Sequence, residues 1–207
     1  METDLVWQIY PILVIILSAV FHEYAHGFVA DYLGDPTPRS MGRLTLNPIV
    51  HLDMWGSIIM PFMLFIFSGG SFVFAYAKPV PFNPFNLRDQ KWGVLKVSIA
   101  GVAVNVLLAL SFGLVLRFFT NLPFDVAKAF VYIVLMNLML AIFNLIPVPP
   151  LDGSKVLFSF LPSRFYHIKA WMEQNYLWLL LAVLFLLSYT SYMGAVVYWL
   201  YSLIVGV

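Results

Sequence analysis

A helix that crosses a bilayer takes about 20 consecutive apolar residues, and this chain supplies such runs repeatedly. Residues 5–33 form the first: it is almost continuously hydrophobic up to Phe21 and closes at Gly34-Asp35-Pro36, a helix stop. Residues 92–119 and 123–146 form two more, the latter halted by Pro147-Val148-Pro149-Pro150. Only 10% of the 207 residues are charged and 62% are hydrophobic, whereas a soluble domain carries about a quarter charged residues. There is too little polar surface to cover a water-soluble body, so the chain reads as an integral membrane protein of one domain, residues 1–207. Its net charge of +1 gives no case for nucleic-acid binding, and the basic start of a signal peptide is missing from Met1-Glu2-Thr3-Asp4.

Inside the first run stands His22-Glu23-Tyr24-Ala25-His26. Two histidines four residues apart project from one face of a helix, so both imidazoles can reach one metal ion. The carboxylate of Glu23 can reach a water on that ion and act as its base. Ionisable groups at membrane depth are costly and mark functional sites by default. The plain alternative is a pair of histidines hydrogen-bonding between packed helices. Glu23 argues against it: of Glu2, Glu23 and Glu173, it alone lies within an apolar span. With no cysteine in the chain, a metal ion must be held by His, Asp or Glu. The ion expected is zinc, one per chain, with a third protein ligand and one open position.

Asp152, His51 and Asp31 are the candidates for that third ligand. Asp152 follows a proline-rich break that must lie inside protein or a wet cavity if it sits at membrane depth. An aspartate at a helix restart is also a natural N-cap, but a buried carboxylate wants a cation. Depth offers a test. His22 and His26 precede Leu33 by 11 and 7 residues, about 10 to 16 Å at the helical rise. Asp152 precedes Leu161 by 9 residues, about 14 Å. The depths agree if both helices exit on the same side. Residues 54–68 then do not cross, and form a re-entrant or interfacial element bent near Pro61. With that topology Arg39, Arg43, Lys78, Arg88, Lys91, Lys96, Lys155, Arg164 and Lys169 share one side, against Arg117 and Lys128 on the other. The positive-inside bias puts the active site toward the cytoplasm of a multi-pass cell-membrane protein.

The fold class expected is an all-α polytopic membrane protein, a bundle of about four to six transmembrane helices with the re-entrant segment and a small membrane-associated β element. Arg43-Leu44-Thr45-Leu46 and residues 72–77 alternate with a period of two and are the candidate strands. An edge at 72–77 is one physical way to hold an extended peptide; an ordinary interfacial hairpin is the other reading. The catalytic core spans about 5–161 and a membrane segment or hairpin spans 176–207, with Ser188-Tyr189-Thr190-Ser191 and Gly194 as its break. His51 and His167 read as structural or solvated residues.

The motif at 22–26 and the N-x-x-P-x-x-P-L-D-G element at 144–153 together resemble the site-2 protease family of intramembrane zinc metalloproteases. The stretches at 42–48 and 77–84 are similar to those of its short prokaryotic members, and the likeness covers roughly residues 20–160. The resemblance implies that His22, His26 and Asp152 bind zinc, that Glu23 is the catalytic base, and that Asn144 positions substrate. It also implies a transmembrane protein as substrate. The family often has A-G-P-x-x-N in its next core helix; here Ala100-Gly101-Val102-Ala103-Val104-Asn105 has Val102 in place of the proline. Asn105 is either a substrate-binding residue or an interhelical hydrogen-bond anchor. A membrane metal transporter or a silent binding scaffold is the competing function. A transporter calls for successive ligand clusters, and has no need of a carboxylate beside a fixed histidine pair.

Overall fold

Three helices carry the apolar runs, and their ends are set by identifiable chemistry. The computed structural model describes residues 2–67 and 77–207. Helix α1, Glu2–Tyr32, ends in Gly34 at φ 108°. The Asp35 amide donates to Ala30 O at 3.0 Å and the Gly34 amide to Asp31 O at 3.1 Å, the paired bonds of a Schellman cap. Short helices α2, Thr37–Ser40, and α3, Pro48–His51, follow. A π-helical turn, Met54–Ile59, then runs into α4, Met60–Phe67. The winding changes one residue before Pro61, whose missing N–H suits a first helical turn.

Helix α5, Gln90–Phe118, is capped by Asp89, whose carboxylate accepts from the amides of Lys91 and Trp92. Helix α6, Phe124–Leu145, stops ahead of Pro147, which forces Ile146 into an extended conformation. Helix α7, Asp152–Phe160, restarts the chain after the proline break, which contains a cis Pro149–Pro150 bond. Helices α8, Tyr166–Gln174, and α9, Tyr176–Tyr189, are bent by 75° against each other, and α10, Tyr192–Val205, follows a break at Thr190-Ser191. The segment at 176–207 is thus two 14-residue helices rather than one.

Ile9–Tyr32, Gln90–Phe118 and Phe124–Leu145 are long and apolar enough to cross a membrane, and the bent pair α8–α9 can count as a fourth. That is fewer than the upper end of the range expected from composition, because the C-terminal apolar run breaks into pieces too short to span singly. Helices α5 and α6 pack as an antiparallel pair, with α1 against both and α10 against their far end. Ala109, Val134, Leu138 and Val197 form the core where α5, α6 and α10 meet. Large apolar residues such as Ile12, Leu13, Leu107 and Phe185 point outward, while Ser18, His22, His26, Asn105, Asn137 and Asp152 are buried. Apolar outside and polar within is the distribution that a lipid solvent favours.

The β element finds no support. Among the described residues there is no strand; Arg43-Leu44-Thr45-Leu46 runs as loop. Arg43 itself is buried and donates to Val50 O, so local side-chain bonding holds this stretch, and no strand pairs with it among the described residues. Residues 72–76 of the other candidate lie outside the described residues. The described part of the 54–68 element holds 14 residues, about 21 Å of helix against about 30 Å of hydrocarbon. By itself that length does not span.

Candidate metal centre

His22 and His26 stand one turn apart on α1, and three other parts of the fold close around them. From α7 comes Asp152, whose Oδ2 lies 3.0 Å from His22 Nε2 and 2.9 Å from His26 Nε2. The two Nε2 atoms are 3.0 Å apart. Three potential ligand atoms therefore meet at one point, each residue less than a tenth exposed. From α5 comes Gly101. A Cβ built there would lie 2.5 Å from His26 Nε2 and 2.6 Å from His22 Nε2, so only glycine lets α5 pass this close. Behind Asp152, Gly153 lies against the carbonyls of Leu145 and Ile146, which lets the proline break fold back tightly enough to aim Asp152 at the histidines.

The far side of each imidazole decides what this triangle can be. His26 Nδ1 lies 2.6 Å from the carbonyl of Val97. A carbonyl can only accept, so Nδ1 carries a proton, and in the neutral ring Nε2 presents a lone pair. His22 Nδ1 lies 2.7 Å from Asn105 Oδ1, with the same consequence. With both rings neutral, two imidazole lone pairs and a carboxylate oxygen face one another, and a cation among the three atoms would relieve their repulsion. Two histidines and a carboxylate are a donor set that zinc takes, and the separations approach the ~3.3 Å between ligands of a tetrahedral site with bonds near 2.0 Å. The residues present fit the ion expected.

Glu23 sits beside the triangle. It offers an oxygen within 4.8 Å of the His22 and His26 ligand atoms, and its Oε2 accepts from the Val80 amide at 2.8 Å. Asp152 Oδ1 accepts from Lys155 Nζ at 3.0 Å. It makes no cap: Leu151 occupies the N-cap position of α7 without a side-chain bond, so the capping alternative for Asp152 does not hold. These residues line a cavity of about 90 Å³ together with Pro79, Val80, Phe82, Asn144 and Pro150. That is room for a few waters.

The other residues singled out from sequence fall elsewhere. Asn144 lines the cavity and donates to Leu140 O. Asn105 is fully buried behind His22, bonded to its ring and to Asn137. His51 is buried with its Nε2 on Thr45 O, and Asp31 pairs with Arg39; both candidate third ligands are committed away from the histidines. His167 is exposed. Sequence reasoning met Gly101 only as a match to the family's A-G-P-x-x-N element and Lys155 only as one of the basic residues, and gave no site role to them, to Asn137 or to Val80. Asn137 carried a usable signal, an amide inside an apolar run; the others acquire meaning only through tertiary contact.

Below the centre, Asp35 locks the loop that brings Val80 to Glu23. It is fully buried and accepts from the Thr37 amide and hydroxyl, the Asn83 amide and Asn86 Nδ2. Burial alone would push this carboxyl up, but the four bonds outweigh it and hold it below the usual carboxylate range. Ala30, Leu87 and Val97 pack nearby and tie the end of α1 to α5.

The profile of peptidase family M50 matches residues 119–188, which include the proline break and Asp152. A Bacillus subtilis (strain 168) protein, provisionally described as the zinc metalloprotease YwhC, is 34% identical over 191 residues, covering 88% of this chain and 83% of the relative. A Mycobacterium tuberculosis (strain H37Rv) protein, provisionally described as the zinc metalloprotease Rip2, is 30% identical over 193 residues, covering 91% of this chain and 71% of the relative. The zinc metalloprotease MJ0392 of Methanocaldococcus jannaschii is 25% identical over 170 residues, 82% of this chain and 39% of its own length. No solved structure gives a significant match. The extent of the likeness to YwhC and Rip2 establishes that the chain belongs to peptidase family M50, the site-2 protease family.

Proposed function

We propose that this protein is an intramembrane zinc metalloprotease that hydrolyses peptide bonds in transmembrane segments of other proteins. The observation that carries the reading is the convergence of His22 Nε2, His26 Nε2 and Asp152 Oδ2 within 3.0 Å, with both Nδ1 atoms bonded to acceptors. In this reading those three residues hold one zinc ion, and Asn105 and the Val97 carbonyl orient the rings. Zinc held there supplies Lewis-acid polarisation and brings the pKa of a water toward about 7. Glu23 is the general base: the Val80 amide fixes its Oε2, and Oε1 takes the water's proton and later passes it to the leaving amine. Lys155 holds Asp152 Oδ1, leaving Oδ2 to face the histidines.

In this reading Asn144, which lines the cavity, bonds a substrate backbone group. A cavity of 90 Å³ takes water but no peptide, since ligand pockets start at about 300 Å³. The loop carrying Pro79, Val80 and Phe82 therefore moves off Glu23 when substrate enters. The centre opens toward the cytoplasm, the side on which the same topology gathers nine of the eleven basic residues.

A transporter would use further ligand clusters, and the described residues contain one. Reconstitution with a single-span test substrate is the experiment. Cleavage is expected in liposomes, stopped by a zinc chelator and restored by added zinc; cleavage indifferent to chelation would remove the metal from the mechanism.

A further inference from the structure

We infer that Asn137, a residue of α6 that never touches the metal centre, is a positioning residue that fixes which nitrogen of His22 is free to bind metal. The inference rests on the reading of His22 as a zinc ligand. Its starting point is the carbonyl of Ile133, one turn back on α6, which can only accept. Asn137 Nδ2 donates to it at 2.8 Å and to Ser18 Oγ at 2.9 Å. The amide orientation of Asn137 is thereby set, with its Oδ1 facing α5. There it accepts from Asn105 Nδ2 at 2.9 Å. Asn105 in turn must present Oδ1 to His22, 2.7 Å from Nδ1. The proton is drawn to Nδ1 and the lone pair is left on Nε2.

Each link is fully or nearly fully buried: Asn105 and Asn137 at 0%, Ser18 at 4%, His22 at 5% exposed. No water competes, so an inverted amide would leave buried polar groups without partners, a costly arrangement. Without Asn137 that penalty disappears. An asparagine is nearly symmetric in shape, and Asn105 could then turn its Nδ2 toward His22 and draw the ring's proton to Nε2. The ring would stay in place but offer N–H where the metal needs a lone pair. Asn137 thus passes the fixed polarity of a backbone carbonyl through two amides to a ligand on another helix. Outer partners of metal-bound histidines characteristically govern affinity in this way.

The test is Zn²⁺ affinity, by chelator competition, of the full chain in detergent. Asn137→Leu, close in shape, should bind zinc about 10- to 100-fold more weakly. Asn105→Asp supplies the decisive comparison, because a carboxylate has no donor end to turn toward His22. In that background, adding Asn137→Leu should change affinity by less than about 3-fold, the coupling expected of groups in one network. Equal losses in both backgrounds, or no loss in Asn137→Leu, overturn the inference. Should Asn137→Leu fail to fold, Asn137→Asp keeps the acceptor for Asn105. It should hold zinc near the wild-type level even with a lowered Tm, and lost affinity there overturns the inference equally. His22→Ala separates the two levels. If it binds zinc normally, the reading of the centre is what fails; if it loses zinc while Asn137→Leu does not, only the relay fails.

Discussion

Gly101→Ala is the smallest change that should destroy the centre while sparing the fold. The added Cβ would lie 2.5 Å from His26 Nε2 and 2.6 Å from both Nε2 and Cε1 of His22. Ordinary contact begins near 3.5 Å, so about 1 Å must be found. The rings cannot simply retreat: they are held by bonds of 2.6 Å to Val97 O and 2.7 Å to Asn105 Oδ1. Metal–ligand distances tolerate only about 0.2 Å, so a shift of that size breaks the coordination. Zinc affinity should fall at least about tenfold and cleavage about a hundredfold. Stability should fall by no more than about 3 kcal/mol. Alanine in place of a mid-helix glycine gains up to about 1 kcal/mol, set against about 1 to 3 kcal/mol for overpacking. The assay is zinc per chain by elemental analysis, cleavage of a single-span substrate, and Tm of the metal-free protein. Gly113→Ala is the control. Its Cβ meets Ile204, in the core of α5, α6 and α10, so it should lower Tm and leave zinc content alone. Gly101→Ala protein with one tightly held zinc and normal cleavage would refute the reasoning.

Asp152→Asn keeps the size of the side chain but removes the charge, and should weaken zinc binding while the metal-free fold survives; unchanged affinity would exclude Asp152 as a ligand. Asp35→Asn should cost about 1 to 3 kcal/mol at pH 7, since charge-assisted bonds become neutral or are lost. The sign of its pH dependence follows from a folded-state pKa held below the unfolded value of about 3.9. The wild-type contribution is present above that value and is lost as pH falls through the folded one. Thermal melts below about pH 5 should therefore fall more steeply for wild type than for Asp35→Asn. The native chain has no cysteine, so Leu52→Cys and Lys78→Cys can be labelled on a clean background; both should react from the cytoplasmic side, and opposite-side labelling would sink the non-crossing topology of the segment between them.

The sequence made the polar interior legible before the packing. His22, Glu23 and His26 declare themselves because ionisable groups inside an apolar run are too costly to keep without a task. Asp152 follows because a proline-broken helix at the same depth must turn its carboxylate toward something. Helix ends were readable to within a few residues wherever a breaker sits, as at Gly34 and Pro147. What stayed hidden depends on contacts between distant segments. The match of residues 100–105 to the family element marked Gly101 but not what it faces, because a helical glycine looks alike on any face. Val80 matters through its backbone amide, which its side chain does not advertise. The expected strand at residues 43–46 failed because alternation is only a local pattern. Arg43 was drawn to Val50 O, and a strand needs a neighbour that these residues lack among those described. The break of the C-terminal run at Thr190-Ser191 was visible as a polar patch, but residue patterning did not decide between one tilted helix and two.

Zinc content and cleavage measured on the same preparations of wild type and Glu23→Gln test the central claim most directly. In the proposed mechanism Glu23 acts as the base beside the three ligands and is not itself a ligand. The amide variant should therefore hold one zinc ion with wild-type affinity, yet lose cleavage of a bilayer-embedded single-span substrate by several orders of magnitude. Cleavage by Glu23→Gln at the wild-type rate, with zinc retained, would contradict the assignment of Glu23 as the base and the proteolytic mechanism built on it.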